Sequence, residues 1–289
     1  MLGVMIGDIA GSFREFTGEN KYKELGLLPD RDLIPLNKKG EPSRYGITDD
    51  SILTVATAYT LIQHGTAATA KDFALHYHGI GNKYFDPVGG YGGGFKKWLK
   101  SPAMLPYNSL GNGSAMRVSP VGYVGRDVDE VLDLAYKSAI TTHNHPEGIK
   151  GAQATALMVY LARKGWKMDS IIPCLNAQYL GYEPCEGFTS FDAICPETMR
   201  LVMHVLLTTD NFHDAVLKAV TIPFADSDTL GAIVGSIAEP MYGIPDDIKN
   251  KALGFLSDMN DPMLNIIYSK FTALYMDVKN DEVPFELNF

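Results

Sequence analysis

The segment Phe224-Ala-Asp-Ser-Asp-Thr-Leu-Gly-Ala-Ile-Val-Gly-Ser-Ile-Ala-Glu239 places two carboxylates and a hydroxyl directly ahead of a predicted helix. These polar groups belong to Asp226, Asp228 and Thr229. The helix that follows is lined with small residues, namely Gly231, Ala232, Gly235, Ser236 and Ala238. The segment therefore predicts a helix of small residues whose beginning carries several oxygen groups.

A second segment of the same chemistry, Thr48-Asp-Asp-Ser51, stands at the start of an apolar helix predicted over 50–63. Capping by Thr48 or Asp49 explains one acidic residue here, since such side chains accept hydrogen bonds from the first N–H groups of a helix. Capping explains two adjacent carboxylates less well. Two oxygen-rich helix starts are what a hard-cation site would need. The sequence therefore predicts that the two segments meet.

Helical periodicity recurs along most of the chain, and alternating strand patterns are almost absent. Besides the helix after Asp228, helices are predicted over 2–13, 50–63, 70–79, 127–140, 146–164, 167–180, 196–208, 211–221, 246–258 and 262–276. The segments 17–46 and 181–195 are predicted to be irregular. We find no repeat and no credible linker. The sequence predicts an all-α fold, a compact single-domain orthogonal bundle of ten or more helices over 1–289.

Three glycines recur at every fourth position of the first predicted helix: Gly3, Gly7 and Gly11. On a helix, residues at this spacing lie on one face. A glycine costs a helix about 1 kcal/mol relative to alanine. Three of them in register therefore predict a smooth face against which another backbone packs closely.

The composition excludes several classes of function. The formal net charge is −9, and no run of three basic residues occurs, so binding to nucleic acid by bulk electrostatics is not expected. The three cysteines form no CxxC pair, which fits reduced thiols better than disulfides. The start of the chain lacks a basic region, and no apolar run approaches 18 residues. We expect a cytoplasmic protein with no membrane association; its oligomeric state is not predicted.

Two glycine-rich stretches are candidate binding loops. The first, Phe85–Phe95, contains Gly89, Gly90, Gly92, Gly93 and Gly94; it suits a backbone that approaches a phosphate, although a flexible connector explains it slightly better. The second, Gly111–Ser114, predicts an anion nest in which glycine or asparagine adopts positive φ beside a helix start. It is not a dinucleotide-binding fingerprint.

The two histidines of Thr141-Thr-His-Asn-His-Pro146 stand at the entry of the predicted helix 146–164. His143 and His145 are a possible pair of metal ligands. Hydrogen bonding at the helix entry explains them better, because Pro146 suits the first helical turn.

Four motifs in order along the chain resemble the ADP-ribosylglycohydrolase family. They are Ile6-Gly-Asp-Ile-Ala-Gly-Ser-Phe-Arg-Glu-Phe16, Thr48-Asp-Asp-Ser51, Gly111-Asn-Gly-Ser-Ala-Met-Arg117 and Asp226-Ser-Asp-Thr-Leu-Gly-Ala-Ile-Val-Gly235. The resemblance spans nearly the whole chain and implies an all-α bundle with a two-metal site at the base of an ADP-ribose cleft. Ile9 and Ala10 depart from the commoner Gly-Asp-Ala-Leu-Gly opening, which affects packing and leaves the acidic positions intact.

The resemblance also implies roles for individual residues. The metal ligands would be Thr48, Asp49, Asp50, Asp226, Asp228 and Thr229, holding two divalent cations, Mg²⁺ or Mn²⁺. Catalytic roles would fall to Glu15, near the anomeric centre, and to Asp86, where the match is looser. Ligand contacts would come from Gly89, Gly90, Gly92, Gly93, Gly111, Asn112, Gly113, Ser114, Met116 and His145.

The implied activity is metal-dependent hydrolysis of the glycosidic bond between ADP-ribose and an acceptor, with release of ADP-ribose. Carboxylates, hydroxyls and water suit hard cations, and two divalent ions would offset the mutual repulsion of clustered carboxylates. A two-metal phosphoesterase and a catalytically silent ADP-ribose binder or structural protein on the same fold remain alternatives. The acceptor, an ADP-ribosylated protein side chain or a small molecule, is not identified, because its contacts would come from variable loops.

Overall fold

The computed structural model describes residues 1–15, 46–176, 181–258 and 261–276, without the side chains of Phe13, Glu15 and Asp258. The predicted irregular segment 17–46 lies outside these ranges except for its last residue, as does the end of the predicted helix 167–180. The described residues contain helices, turns and two isolated β-bridges, and no β-strand. The all-α prediction is confirmed.

The fourteen described α-helices include every predicted helix, in the predicted order. Three short helices are additional, Gly93–Leu99, Gly113–Met116 and Val121–Val124, of which only the one at Gly113 was anticipated, as the helix start beside the predicted nest. In chain order the fourteen are α1 (Leu2–Glu15), α2 (Asp49–His64), α3 (Ala70–Lys83), α4 (Gly93–Leu99), α5 (Gly113–Met116), α6 (Val121–Val124), α7 (Val128–Ala139), α8 (Pro146–Arg163), α9 (Met168–Leu175), α10 (Cys195–Leu207), α11 (Phe212–Thr221), α12 (Ser227–Tyr242), α13 (Asp246–Asp258) and α14 (Pro262–Phe271). The predicted helix 262–276 is therefore two elements, because α14 is followed by a π-helical turn over Thr272–Met276.

Helix α12 lies at the centre of the molecule. All its residues from Ser227 to Ala238 are buried. It packs against α1, α11, α8, α10, α5 and α2. The small side chains of this helix allow so many neighbours to approach, and the start of α12 is thereby brought to the middle of the fold.

Helices α1 and α12 pack glycine against glycine. A Cβ atom added to Gly7 would overlap the carbonyl group of Gly231, and one added to Gly3 would overlap the carbonyl oxygen of Gly235. At the end of this contact, a Cβ atom on Gly11 would overlap the backbone of Ser227 and Asp228. The predicted close approach of another backbone to the first helix is confirmed, and it aligns α1 with the start of α12.

Side-chain caps fix where several helices begin. Thr48 accepts a hydrogen bond from the backbone N–H of Asp50 at the start of α2. Asp127 accepts one from Glu130 in α7, and Asn211 accepts one from Asp214 in α11. Each cap satisfies one of the N–H groups that a helix start leaves without an internal partner.

No helix within the described ranges combines the length and the apolar character needed to cross a membrane.

Candidate functional site

A cavity of about 410 Å³ opens where the starts of α2 and α12 meet. Its acidic side is formed by Asp49, Asp50, Asp226 and Asp228. The glycine loop Gly89–Gly94 and the segment around Gly111 also line the cavity. The remaining lining residues are Leu53, Phe95, Tyr107, Ser109, Asn112, Gly113, Met116, Arg117, His143, Ala193 and Thr229. The structure thus brings the two acidic motifs to one place.

A buried carboxylate on α1 organises the first acidic motif. One oxygen of Asp8 accepts hydrogen bonds from the backbone N–H of Thr48 at 2.9 Å and of Ser51 at 3.1 Å. The hydroxyl of Thr48 donates to Asp8 at 2.8 Å, and that of Ser51 donates at 2.5 Å. A buried charge is tolerated when it is fully hydrogen-bonded. Asp8 therefore holds the start of α2 in place and presents Asp49 and Asp50 to the cavity.

Asp50 links the two acidic motifs directly. Its Oδ2 atom lies 3.2 Å from the Thr48 hydroxyl, which donates its proton to Asp8 at the shorter distance, and accepts a hydrogen bond of 3.2 Å from the Thr229 hydroxyl on α12. Its Oδ1 atom is buried and has no hydrogen-bond partner among the described residues. A buried oxygen of this kind costs free energy unless it is paired, so Oδ1 is suited to accept a ligand in the cavity.

The second motif is held by the segment that follows Gly111. The side-chain amide of Asn112 donates to Asp226 Oδ2 at 2.9 Å and to Thr198 at 3.2 Å, while its backbone N–H bonds to Ala193 O at 2.9 Å. Asp228 Oδ1 accepts from the backbone N–H of Thr229 at 2.8 Å. Asn112, predicted as a ligand contact, thus orients Asp226 as well as lining the cavity.

Burial and mutual repulsion raise the pKa values of the clustered carboxyl groups. Burial, followed by the charges of Asp8 and Asp226, raises the pKa of Asp49 to about 8. The pKa of Asp50 is raised by burial and then by the charge of Asp228. Burial and Asp228 also raise the pKa of Asp226, against the hydrogen bond from Asn112. Such a cluster releases protons when a cation neutralises it.

The donor set of this cluster matches hard divalent cations. It consists of carboxylate and hydroxyl oxygens, and it includes the unpartnered Oδ1 atom of Asp50. Within the described ranges, no three His, Cys, Asp or Glu side chains already stand as a group that would hold a metal. The fit therefore rests on the chemistry of the oxygens and on their convergence at one cavity.

The predicted backbone conformation of the second glycine stretch is not found. Gly111, Asn112 and Gly113 do not adopt positive φ, so the predicted nest of this type is wrong at 111–114. Consecutive positive φ values occur instead at Gly89 (76°) and Gly90 (77°) in the other loop. The N–H of Gly90 is already used in a turn, where it donates to the carbonyl oxygen of Pro87 at 3.0 Å. The positive φ values therefore do not by themselves make this loop an anion site, and residues of both glycine stretches line the cavity.

Several predicted site residues lie elsewhere. Asp86 does not line the cavity: its side chain is 91% exposed and faces Lys96 at 4.0 Å. The hydroxyl of Ser114 donates to Gly148 O at 2.7 Å instead of pointing into the cavity. His145 caps α8 by accepting from the N–H of Glu147, as helix-entry bonding predicted. Glu15 ends α1, and its side chain lies outside the described set.

Asp8 and Arg117 carried no separate prediction as ligand or catalytic groups, and His143 was considered only as a possible metal ligand. Asp8 was one acidic residue in an apolar helix, and the cost of burying a charge is the signal that could have singled it out. His143 lines the cavity in place of His145. Arg117 ends a recognised motif, and its fully buried guanidinium lies over the ring of Tyr77 at 4.0 Å. Its charge lowers the pKa of Asp49 slightly against the other effects.

Comparison with known proteins agrees with this arrangement. A family model described as ADP-ribosylglycohydrolase matches residues 1–261. ADP-ribosyl-[dinitrogen reductase] glycohydrolase from Rhodospirillum rubrum is 28% identical over 277 residues, which cover 90% of this chain and 88% of that protein.

ADP-ribosylhydrolase ARH3 from Homo sapiens is 34% identical over 209 residues, but these cover only 65% of this chain and 54% of that protein. A solved ADP-ribosylglycohydrolase-related protein complex has the same fold, with a TM-score of 0.69 at 20% identity over 95% of both chains. Since the family model spans most of the sequence, the chain belongs to the ADP-ribosylglycohydrolase family.

Proposed function

We propose that this protein is a metal-dependent hydrolase that cleaves the glycosidic bond between ADP-ribose and an acceptor. The observation that carries the proposal is the convergence of two acidic helix starts, joined through Thr229 and Asp50, at the floor of one cavity. Membership of the family supports the hydrolase class. The relatives are named for glycohydrolase or hydrolase activity on ADP-ribosyl groups, which supports the same substrate class here.

The cavity has the size and lining that such a ligand needs. Its volume of about 410 Å³ lies within the roughly 300–1,000 Å³ usual for small-molecule sites. Aromatic side chains, Tyr91, Phe95 and Tyr107, stand next to the glycine loop. Apolar walls beside backbone amides suit a nucleotide that carries a diphosphate, and backbone amides can bind it without a basic surface.

The residues that would hold two cations, Mg²⁺ or Mn²⁺, are Thr48, Asp49, Asp50, Asp226, Asp228 and Thr229. When bound, such ions would neutralise the carboxylates and orient a sugar diol and a water molecule near the bond to be broken. Asp8 would keep the start of α2 in place for this purpose, and Asn112 would orient Asp226. These positioning contacts are already formed by the chain itself.

Proton transfer is assigned to Glu15. It ends the helix whose carboxylate Asp8 organises the metal-binding motif. Glycosidases commonly use one carboxyl group as general acid or base beside a second stabilising group. Asp86 is exposed beside Lys96 and does not line the cavity, so the proposal assigns it no role.

The test is product analysis on defined linkages. The protein, supplied with Mg²⁺ or Mn²⁺, is incubated with substrates that carry ADP-ribose on arginine, on serine or on a small molecule. Release of intact ADP-ribose together with an unmodified acceptor is the expected result. The panel also identifies the acceptor. Asp50→Asn should abolish the release, whereas Asp133→Asn, an exposed change in the surface pair with Lys137, should not.

The two other candidate functions give different products. Release of AMP or inorganic phosphate would identify a two-metal phosphoesterase. Calorimetric binding of ADP-ribose without turnover of any linkage would identify a silent binding protein. Either result would replace the proposed hydrolase activity.

A further inference from the structure

A buried arginine that lines the cavity is held by groups at the end of α7. One terminal nitrogen of Arg117, Nη2, donates to the carbonyl oxygen of Ser138 and to the hydroxyls of Thr141 and Thr142. The bond to Thr142 is the shortest, at 2.9 Å. Since a guanidinium only donates hydrogen bonds, the Thr142 oxygen must be the acceptor in this contact.

The hydroxyl of Thr142 also lies 2.7 Å from Nδ1 of His143. Either atom is able to donate in this second contact, depending on the tautomer of the ring. If Nδ1 carried the proton, the Thr142 oxygen would accept two hydrogen bonds, and its own proton would need another acceptor. The structure gives this hydroxyl no further partner among the described residues. A buried hydroxyl proton without an acceptor is unfavourable, so Thr142 donates to Nδ1.

We propose that Arg117 and Thr142 act as positioning residues that fix the neutral Nε2–H tautomer of His143, so that its Nε2–H is offered to a ligand in the cavity. Nε2 stands beside the two glycines that line the cavity at this point. It would be 3.1 Å from a Cβ atom at Gly113 and 3.6 Å from one at Gly111. Nε2 makes no hydrogen bond within the part of the chain that the structure describes.

The surroundings of the ring favour its neutral form. Burial lowers the pKa of His143 well below its usual range, and the charge of Arg117 lowers it further. A neutral imidazole has one donor and one acceptor. Because Thr142 occupies the acceptor side, the donor side is left for the cavity. A ligand oxygen, such as one from a phosphate or a ribose, is the matching partner.

The contact between His143 and a bound nucleotide rests on the proposed function, but the tautomer does not. The tautomer can be measured in the protein without any ligand by long-range ¹H–¹⁵N correlation spectroscopy on uniformly ¹⁵N-labelled protein. The signal of His143 among the seven histidines is the one that disappears in His143→Gln. We expect its Nδ1 to resonate as an unprotonated nitrogen and its Nε2 as a protonated one.

Two variants of Thr142 test the origin of this preference. Thr142→Val keeps the shape of the side chain but removes the hydroxyl, so a mixture of tautomers is expected. Thr142→Ser retains the hydroxyl and should restore the Nε2–H form. The affinity for ADP-ribose should fall about tenfold in Thr142→Val, in line with the loss of one well-placed hydrogen bond, and should stay within about twofold of the parent value in Thr142→Ser.

Specific outcomes overturn the proposal. A wild-type spectrum that shows the proton of His143 on Nδ1 would refute the proposal. This measurement needs no Thr142 variant, so it decides even if a variant fails to fold. An unchanged tautomer in Thr142→Val would remove Thr142 from the role. If the parent protein shows the Nε2–H form but does not bind ADP-ribose, the proposed function fails and the tautomer assignment stands.

Discussion

The carboxylate of Asp8 accepts hydrogen bonds from both the backbone N–H and the hydroxyl of Ser51. One residue lies inside the first helix and the other lies in the first turn of α2. Through this contact, the first helix holds in place the acidic motif that lines the cavity. It also explains why an acidic side chain stands in the middle of an apolar helix.

The first prediction concerns this support. Asp8→Asn replaces one carboxylate oxygen by an NH₂ group, which cannot accept the hydrogen bonds that Asp8 receives. The free energy of unfolding should therefore fall by about 1–3 kcal/mol. The affinity for Mn²⁺ should fall as well, because the start of α2 loses its anchor. Thermal unfolding and titration calorimetry measure the two effects, with Asp133→Asn as the surface control. An Asp8→Asn protein with the stability and Mn²⁺ affinity of the parent would refute the supporting role.

The second prediction concerns the proposed cation ligands. Asp228→Asn removes one charge from the cluster without changing the size of the side chain. Divalent-ion affinity should therefore fall at least about tenfold, since loss of a coordinating group or its orientation commonly costs about 10–100-fold. Calorimetry with Mn²⁺ or Mg²⁺ measures the affinity. Binding as tight as in the parent protein would exclude Asp228 as a ligand.

A third prediction concerns the packing of α1 on α12. A Cβ atom at Gly7 meets the carbonyl group and backbone of the opposing helix, so Gly7→Ala should destabilise the protein by about 1–3 kcal/mol or more. Gly79→Ala is the matched control, because a Cβ atom at this helical position meets nothing within 4 Å. It should stabilise the protein by about 0.4–1 kcal/mol. Equal unfolding midpoints for both variants would contradict the close contact.

The pKa of Asp49 leads to a fourth prediction. Its value in the folded, metal-free protein is raised from an ordinary 3.8 to about 8. Between pH 3.8 and about pH 8 the folded state binds more protons than the unfolded chain. The stability that this protonation contributes is therefore fully present below pH 3.8 and is lost as the pH rises through about 8. The melting temperature of chelator-treated protein should therefore fall by a few degrees from about pH 5 to about pH 8.

Removal of the Asp49 carboxyl group should weaken the dependence of the melting temperature on pH. Asp49→Asn keeps the shape of the side chain but does not titrate, so scanning calorimetry of this variant should show a smaller decrease over the same pH range. A steeper decrease in Asp49→Asn than in the parent protein would show that the sign of the effect is wrong.

The fifth prediction concerns proton transfer. Glu15→Gln retains the size and hydrogen bonding of the side chain but removes the ionisable group. Loss of a general acid or base typically slows a reaction about 10²–10⁴-fold. We therefore expect turnover at least about a hundredfold slower, with nearly normal binding of ADP-ribose and metal. Full activity of this variant at confirmed metal occupancy would remove Glu15 from the mechanism.

Sequence patterns predicted most of the local structure, because the signals for a helix lie in neighbouring residues. The 3.6-residue period, the proline at the start of α8 and the caps Thr48 and Asp127 depend on contacts within one or two turns. The two acidic motifs and the two glycine stretches were visible for the same reason. The chemistry of their oxygens was sufficient to predict a hard-cation site.

Only the tertiary structure decided which elements meet. A face of small residues can pack against many partners, so nothing local in Gly7 indicates Gly231 as its neighbour. Likewise, His143 and His145 differ little as a sequence pattern, yet one lines the cavity and the other caps a helix. Asp86 was excluded from the site for a related reason: the course of its loop leaves its side chain exposed beside Lys96. Contacts of this kind depend on the closure of the whole chain, whereas helices depend on residues only a few positions apart.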